Sequence, residues 1–194
     1  YRRRLADAVT GLGRGPEGRR MALNLLLGFL PVALLGIAVH GWIKETLFHP
    51  SVVAWAFIVG GLIILALEAW NPPPRIQTLD QLAPHRALGI GLAQTLALIP
   101  GMSRAGSTIM GGFGLGLSRV AATEFSFLLA VPVLSSAAVF DLLRSLDHLS
   151  PQDLPFFATG FVTAFVAALV VVRGLLRFVT THRFTAVSYT HLRA

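Results

Sequence analysis

The sequence predicts an all-α polytopic membrane protein with four transmembrane helices and one re-entrant helical hairpin. Three observations carry that expectation. The chain is 54% hydrophobic and 13% charged, with a mean hydropathy of +0.69, whereas a soluble domain is about a quarter charged. Four runs are each about 20 apolar residues long, enough to cross the hydrocarbon core of a bilayer. Between the second and third run, two shorter apolar pieces flank PGMSRAGST, residues 100 to 108.

The elements follow in order. The chain opens at Tyr1, without an initiator Met, in a segment rich in arginine (Arg2, Arg3, Arg4, Arg14, Arg19 and Arg20). This reads as a cytoplasmic loop of a chain truncated at its N-terminus, not as a cleavable signal peptide. The first span is ALNLLLGFLPVALLGIAV (22–39), with Pro31 expected to kink it. The second is SVVAWAFIVGGLIILALEAW (51–70), stopped by Asn71 and three prolines. The third is 120–143, with Pro132 inside, and the fourth is 155–179. Residues 1–184 make a single membrane domain. The tail TAVSYTHLRA (185–194) breaks character, and two readings stand: non-native sequence at a fragment's end, or a solvated tail.

ALGIGLAQTLALI (87–99) and STIMGGFGLGL (107–117) are each about half a span long. With a Pro/Gly turn between them they predict a re-entrant hairpin over 87–117. Such backbone survives at membrane depth only inside protein or beside a watery cavity. Pro100, Gly101 and Gly106 oppose the alternative of one continuous helix. The cations agree. Arg75, Arg86, Arg119, Arg173, Arg177, Arg183 and Arg193 fall on the side of the N-terminal arginines, and only Lys44 and Arg144 fall opposite. That bias places both mouths of the hairpin on the cytoplasmic side. It also accounts for the net charge of +7, so no nucleic-acid partner is expected. Cysteine is absent, which excludes disulfides and thiolate metal sites.

Arg104 is left over at the hairpin tip. A charge at mid-membrane costs about 3 kcal/mol on insertion scales and marks a functional site by default. Guanidinium grips phosphate oxygens in bidentate fashion. A second half-helix starting near Ser103 to Ser107 would point its free N–H groups at the tip, where an anion can bind. Gly101 and Gly106 allow close backbone approach. Ser103, Ser107 and Thr108 supply hydroxyls for hydrogen bonding or nucleophilic attack. The residues thus point to a buried anion site, most simply for phosphate. An anion transporter, a phosphoryl-transfer enzyme and an arginine that only caps helix carbonyls all remain open at this point.

PGMSRAGST resembles the PGxSRSGxT signature of the undecaprenyl-diphosphate phosphatases, the bacitracin-resistance proteins of bacterial membranes. Residues 27–48, 118–132 and 156–172 are similar to neighbouring segments of that family. Ala105 stands where the family usually has Ser, a small-for-small exchange. The resemblance implies hydrolysis of undecaprenyl diphosphate to undecaprenyl phosphate and phosphate. That activity recycles the cell-wall lipid carrier and confers bacitracin resistance. It implies a multi-pass protein of the bacterial inner membrane, in an inverted-repeat fold with two hairpins and a site open to the outer face.

By the same resemblance, Ser103, Arg104 and Thr108 are catalytic. Arg104 holds the diphosphate, Ser103 is a hydrogen-bond donor or the nucleophile, and Thr108 orients a phosphate oxygen or Arg104. Gly101, Gly106, Ser107 and Gln94 line the substrate. The family's acidic E-x-x-x-E motif is not found here: Glu17, Glu45, Glu68 and Glu124 lack that spacing, and Gln94 and Leu98 occupy the equivalent places. A divalent cation, Mg or Ca, is therefore expected on carboxylates of a missing N-terminal hairpin, with no metal ligand in this chain, and the fragment by itself is expected to be inactive. The final helix is expected to be missing as well. A polyprenyl diphosphate lipid and the bilayer are the expected partners, with a homodimer as a further option; the rival functions are an anion or lipid-phosphate transporter and a non-catalytic membrane scaffold.

The other polar residues have plainer readings. Glu124 pairs with Arg104 or Arg119, or favours its helix's positive end. Glu68 is expected to snorkel at a membrane face. The histidines fall in loops or at helix ends with no metal-ligand spacing. Gln94 is buried by pattern, bonding the hairpin or the facing repeat, or serving structure alone.

Overall fold

The computed structural model describes residues 16–71, 73–145 and 150–181, with side chains as far as residue 174. The expected tail, 185–194, and the arginines before residue 16 lie outside the described residues. Six α-helices are described: α1, Pro16–Thr46; α2, Pro50–Trp70; α3, Pro84–Gln94; α4, Arg104–Gly114; α5, Arg119–Ser145; and α6, Leu154–Thr181. Four of them, α1, α2, α5 and α6, are long and apolar enough to cross a membrane. They contain the four runs expected from sequence, each extended by a few residues at its ends. Pro31 and Pro132 sit inside α1 and α5.

Local chemistry sets the boundaries. Pro50 and Pro84 follow residues in extended conformation and open α2 and α3, where a missing N–H costs nothing. Asn71 closes α2 in the left-handed region, with φ 41° and its N–H on the Leu67 carbonyl. α3 tightens into a 3₁₀ turn over Thr95–Leu98 and then stops. Gly101 turns the chain at φ 96°. α4 then runs back beside α3.

The return is recorded in contacts. Arg86 Nη1 donates to the Leu115 carbonyl at 2.6 Å, so the start of α3 lies beside the end of α4. A parallel bridge joins Ile76 to Leu117, and Ser118 N donates to the Ile76 carbonyl at 2.8 Å. Both mouths of the hairpin therefore open at one end of the bundle. α1 begins there too: Arg20 Nη2 and Asn24 Nδ2 donate to the Leu82 carbonyl at 3.0 and 2.9 Å. Arg20, Arg75, Arg86 and Arg119 gather at this end. At the other end, His40 of α1 meets Phe140 of α5 edge to face at 5.6 Å, near Lys44 and Arg144. This is the division that the charge bias predicts.

Small residues let the helices approach, as in other membrane bundles. A Cβ on Gly91 would lie 2.5 Å from the Gly28 carbonyl oxygen, and one on Gly111 would lie 2.5 Å from Ala93 Cβ. These two contacts lock α3 against α1 and the hairpin arms against each other. Around them Ile90, Phe125, Leu128 and Leu129 form the core. α6 packs on α5 and on the short turn before it, and buries no described side chain; its Phe and Val residues suit contact with lipid.

Candidate functional site

The hairpin apex runs from Ile99 to Arg104. Ser103 is the N-cap of α4: its backbone is extended, and its Oγ accepts from Gly106 N at 3.1 Å. Its carbonyl accepts from Ser107 N at 2.8 Å. The N–H groups of Arg104 and Ala105 have no carbonyl before them in the helix, so the apex presents positive backbone dipole as the sequence predicts. Gly101 is required on two grounds. Its φ is 96°, and a Cβ there would sit 2.6 Å from the Val53 carbonyl oxygen.

Val53 belongs to the first turn of α2, at the end opposite the hairpin's mouths. The apex therefore reaches most of the way across the bundle rather than stopping at the middle. α3 with its 3₁₀ turn supplies the length: 11 residues and 4 residues at rises of about 1.5 and 2.0 Å give about 24 Å.

The expected site residues divide between two faces of the hairpin. Gly101, Ser103, Gly106 and Ser107 line a cavity of about 170 Å³ between α2 and the hairpin. Ala56, Gly60, Ile63, Ile64, Leu67 and Met110 make most of the remaining wall, so the cavity is apolar with hydroxyls near the apex. Arg104 and Thr108 turn toward α5 instead. Arg104 Nη1 donates to the Ser126 carbonyl at 3.1 Å. Thr108 is buried; its hydroxyl lies 3.0 Å from the Arg104 carbonyl, 3.1 Å from that of Ala105 and 2.6 Å from Ser126 Oγ. The Thr108 hydroxyl thus bonds its own helix and α5.

Gln94 lies in the buried stripe of α3 with Ala87, Ile90 and Gly91. It is fully buried, and neither amide atom has a hydrogen-bond partner among the described residues. Ser126 was not singled out from sequence. Its signal was a polar residue within an apolar span, the kind that bonds across helices.

Glu68 corrects an expectation. It does not snorkel: its side chain is 5% exposed, and Arg119 grips it through Nε at 3.2 Å and Nη2 at 3.0 Å. Arg119 Nη2 also donates to Asn71 Oδ1 at 2.9 Å, and its guanidinium carbon lies 4.9 Å from the centre of the Phe113 ring. This cluster ties the ends of α2, α4 and α5 together at the hairpin's mouth.

The donor set does not fit a resident divalent cation. Among the described residues no three His, Cys, Asp or Glu side chains gather to hold one. The apex offers hydroxyls and a guanidinium, which suit an anion.

The family described as bacitracin resistance protein BacA matches residues 1–192. The chain is 48% identical to the undecaprenyl-diphosphatase of Methylococcus capsulatus over 189 residues, covering 97% of this chain and 69% of that protein. It is 49% identical to undecaprenyl-diphosphatase 2 of Rhodospirillum rubrum and to the undecaprenyl-diphosphatase of Nitrosospira multiformis, with the same coverage.

Proposed function

Because the chain belongs to the bacitracin resistance protein BacA family, we propose that it hydrolyses undecaprenyl diphosphate to undecaprenyl phosphate and phosphate. The observation that carries this reading is the apex itself. A guanidinium and the start of a hydroxyl-capped helix stand together on a re-entrant hairpin, in apolar surroundings where few other charges are placed. Water attacks the terminal phosphorus, and the bond to the bridging oxygen breaks. The bridging oxygen and its electron pair leave with the lipid phosphate.

Arg104 has five N–H donors, of which Nη1 is anchored on Ser126. The others, with the N–H groups of Arg104 and Ala105, meet the negative charge that grows during transfer. Donors held in advance toward such charge are usually the largest catalytic contribution. Ser103 Oγ already accepts a helix N–H, and among the described residues no base hydrogen-bonds it. That supports a donor role toward a phosphate oxygen over that of nucleophile. The Mg or Ca expected from sequence meets no cluster of carboxylates or imidazoles among the described residues. The apolar cavity beside Ser103 and Ser107 suits the first part of a prenyl chain.

The apex lies far from the arginine-rich end, which the charge bias places in the cytoplasm. This supports a site opening to the outer face of the bacterial inner membrane, and recycling of the cell-wall carrier there. A second hairpin from an inverted repeat would complete the pocket.

Phosphate release from undecaprenyl diphosphate, by the complete gene product in detergent micelles, tests the proposal. Arg104→Ala should slow it by about 10²–10³, and Arg104→Lys, a charge without the fork, should fall between. Unchanged release by Arg104→Ala would overturn the reading. Lipid movement without phosphate release would favour a transporter.

A further inference from the structure

Gln94 is a poor choice for packing alone. Its amide is fully buried, and both its oxygen and its nitrogen lack a partner among the described residues. An apolar side chain of the same shape would avoid that desolvation cost. A buried amide kept under such conditions points to a polar neighbour that completes its bonds.

The helix register shows which groups share its level. Ile90 of α3, Gly112 of α4 and Ala122 of α5 meet in one layer: a Cβ on Gly112 would be 3.1 Å from Ala122 Cβ and 3.6 Å from Ile90 Cδ1. One helical turn toward the apex takes these three positions to Gln94, Thr108 and Ser126. Thr108 and Ser126 join hydroxyl to hydroxyl at 2.6 Å. The Ser126 carbonyl holds Arg104 Nη1. An apolar layer is thus followed by a polar one, with the guanidinium attached to its edge.

We infer that Gln94 is a positioning residue for Arg104, acting through an internal water that it shares with the Thr108–Ser126 hydroxyl pair. Such a water needs two to four polar partners. The Gln94 amide supplies a donor and an acceptor. The hydroxyl pair has two hydrogens: one serves a main-chain carbonyl of α4 and the other the link between the hydroxyls. Ser126 Oγ or Thr108 Oγ1 then has an open lone pair. Arg104 has spare N–H groups to reach the same water. The bridge fixes the angle at which the guanidinium fork faces the diphosphate, and in that respect the inference rests on the phosphatase reading.

The test uses Gln94→Met, which keeps the shape and removes the amide. Its first readout needs no turnover: the Arg104 Nε–H resonance of the protein in micelles, identified by its loss in Arg104→Lys. Gln94→Met should shift it, and so should Ser126→Ala. The second readout is kcat/KM for prenyl diphosphate hydrolysis. It should fall on the order of tenfold to a hundredfold, as expected when a reacting group is misplaced. The unfolding midpoint should hold or rise, and Gln94→Met should add nothing to Arg104→Lys. An unmoved resonance would overturn the inference. So would a kinetic loss that adds fully to Arg104→Lys and tracks a lowered midpoint. If the complete gene product releases no phosphate, the phosphatase reading falls, and the resonance alone decides the role of Gln94.

Discussion

Replacing Arg119 by Met should destabilise the protein more than replacing Glu68 by Met, and the two changes should not add. Arg119 reaches both carboxylate oxygens of Glu68, at 3.2 and 3.0 Å, and the side chains are 25% and 5% exposed respectively. Without Arg119, an almost fully buried carboxylate loses the cation that faces both of its oxygens. Breaking a buried pair in that way costs about 3–5 kcal/mol. Without Glu68, Arg119 keeps Asn71 Oδ1, the face of Phe113 and some water, so the loss is nearer the 1.5–3 kcal/mol typical of a charged hydrogen bond, about 2 kcal/mol. In Glu68→Met/Arg119→Met no charge is stranded. The double variant should be no less stable than Arg119→Met, with a coupling of about 2 kcal/mol, inside the range for contacting residues. Denaturant titration in micelles, followed by the fluorescence of Trp42, Trp55 and Trp70, gives the four stabilities. Additive losses, or a greater loss from Glu68→Met, would refute the reasoning.

Two further outcomes follow from the hairpin. Gly101→Ala should make the apex susceptible to protease and lower stability by more than the ~1–2 kcal/mol of a left-handed residue, because its Cβ would also meet the Val53 carbonyl; an intact, protease-resistant apex would contradict this. Thr108→Val should cost about 1–3 kcal/mol in the same denaturant titration, since the buried Ser126 hydroxyl loses its partner; an unchanged midpoint would show that the hydroxyl pair does not stabilise the packing of α4 on α5.

The long elements were legible because lipid imposes a simple rule. Apolar runs of sufficient length become helices, and the positions of Arg75, Arg86, Arg119, Lys44 and Arg144 sort their ends. The hairpin was legible for a related reason: Pro100 and Gly101 break a run too short to cross on either side. Side-chain direction was not. Ser103 and Arg104 are neighbours in the chain, yet one borders the cavity by α2 and the other bonds α5. Neither direction follows from a motif, because both depend on where α2 and α5 stand. Glu68 was misread for the same reason. A carboxylate near a helix end fits snorkelling equally well until Arg119, far along the chain, is seen beside it.

The contacts of α2 carry one more consequence. It is touched by the hairpin at two heights: at Val53, against Gly101, and at Leu67, beside Gly114. From Val53 to Leu67 the helix rises about 21 Å. That interval is set by covalent geometry, so α2 is a ruler held alongside the hairpin. Lipid of different thickness can tilt the bundle or stretch around it, but the height of Arg104 above the hairpin's mouth is gauged by protein. The chemistry at the apex is insulated from the bilayer's own dimensions, although the substrate's tail is not.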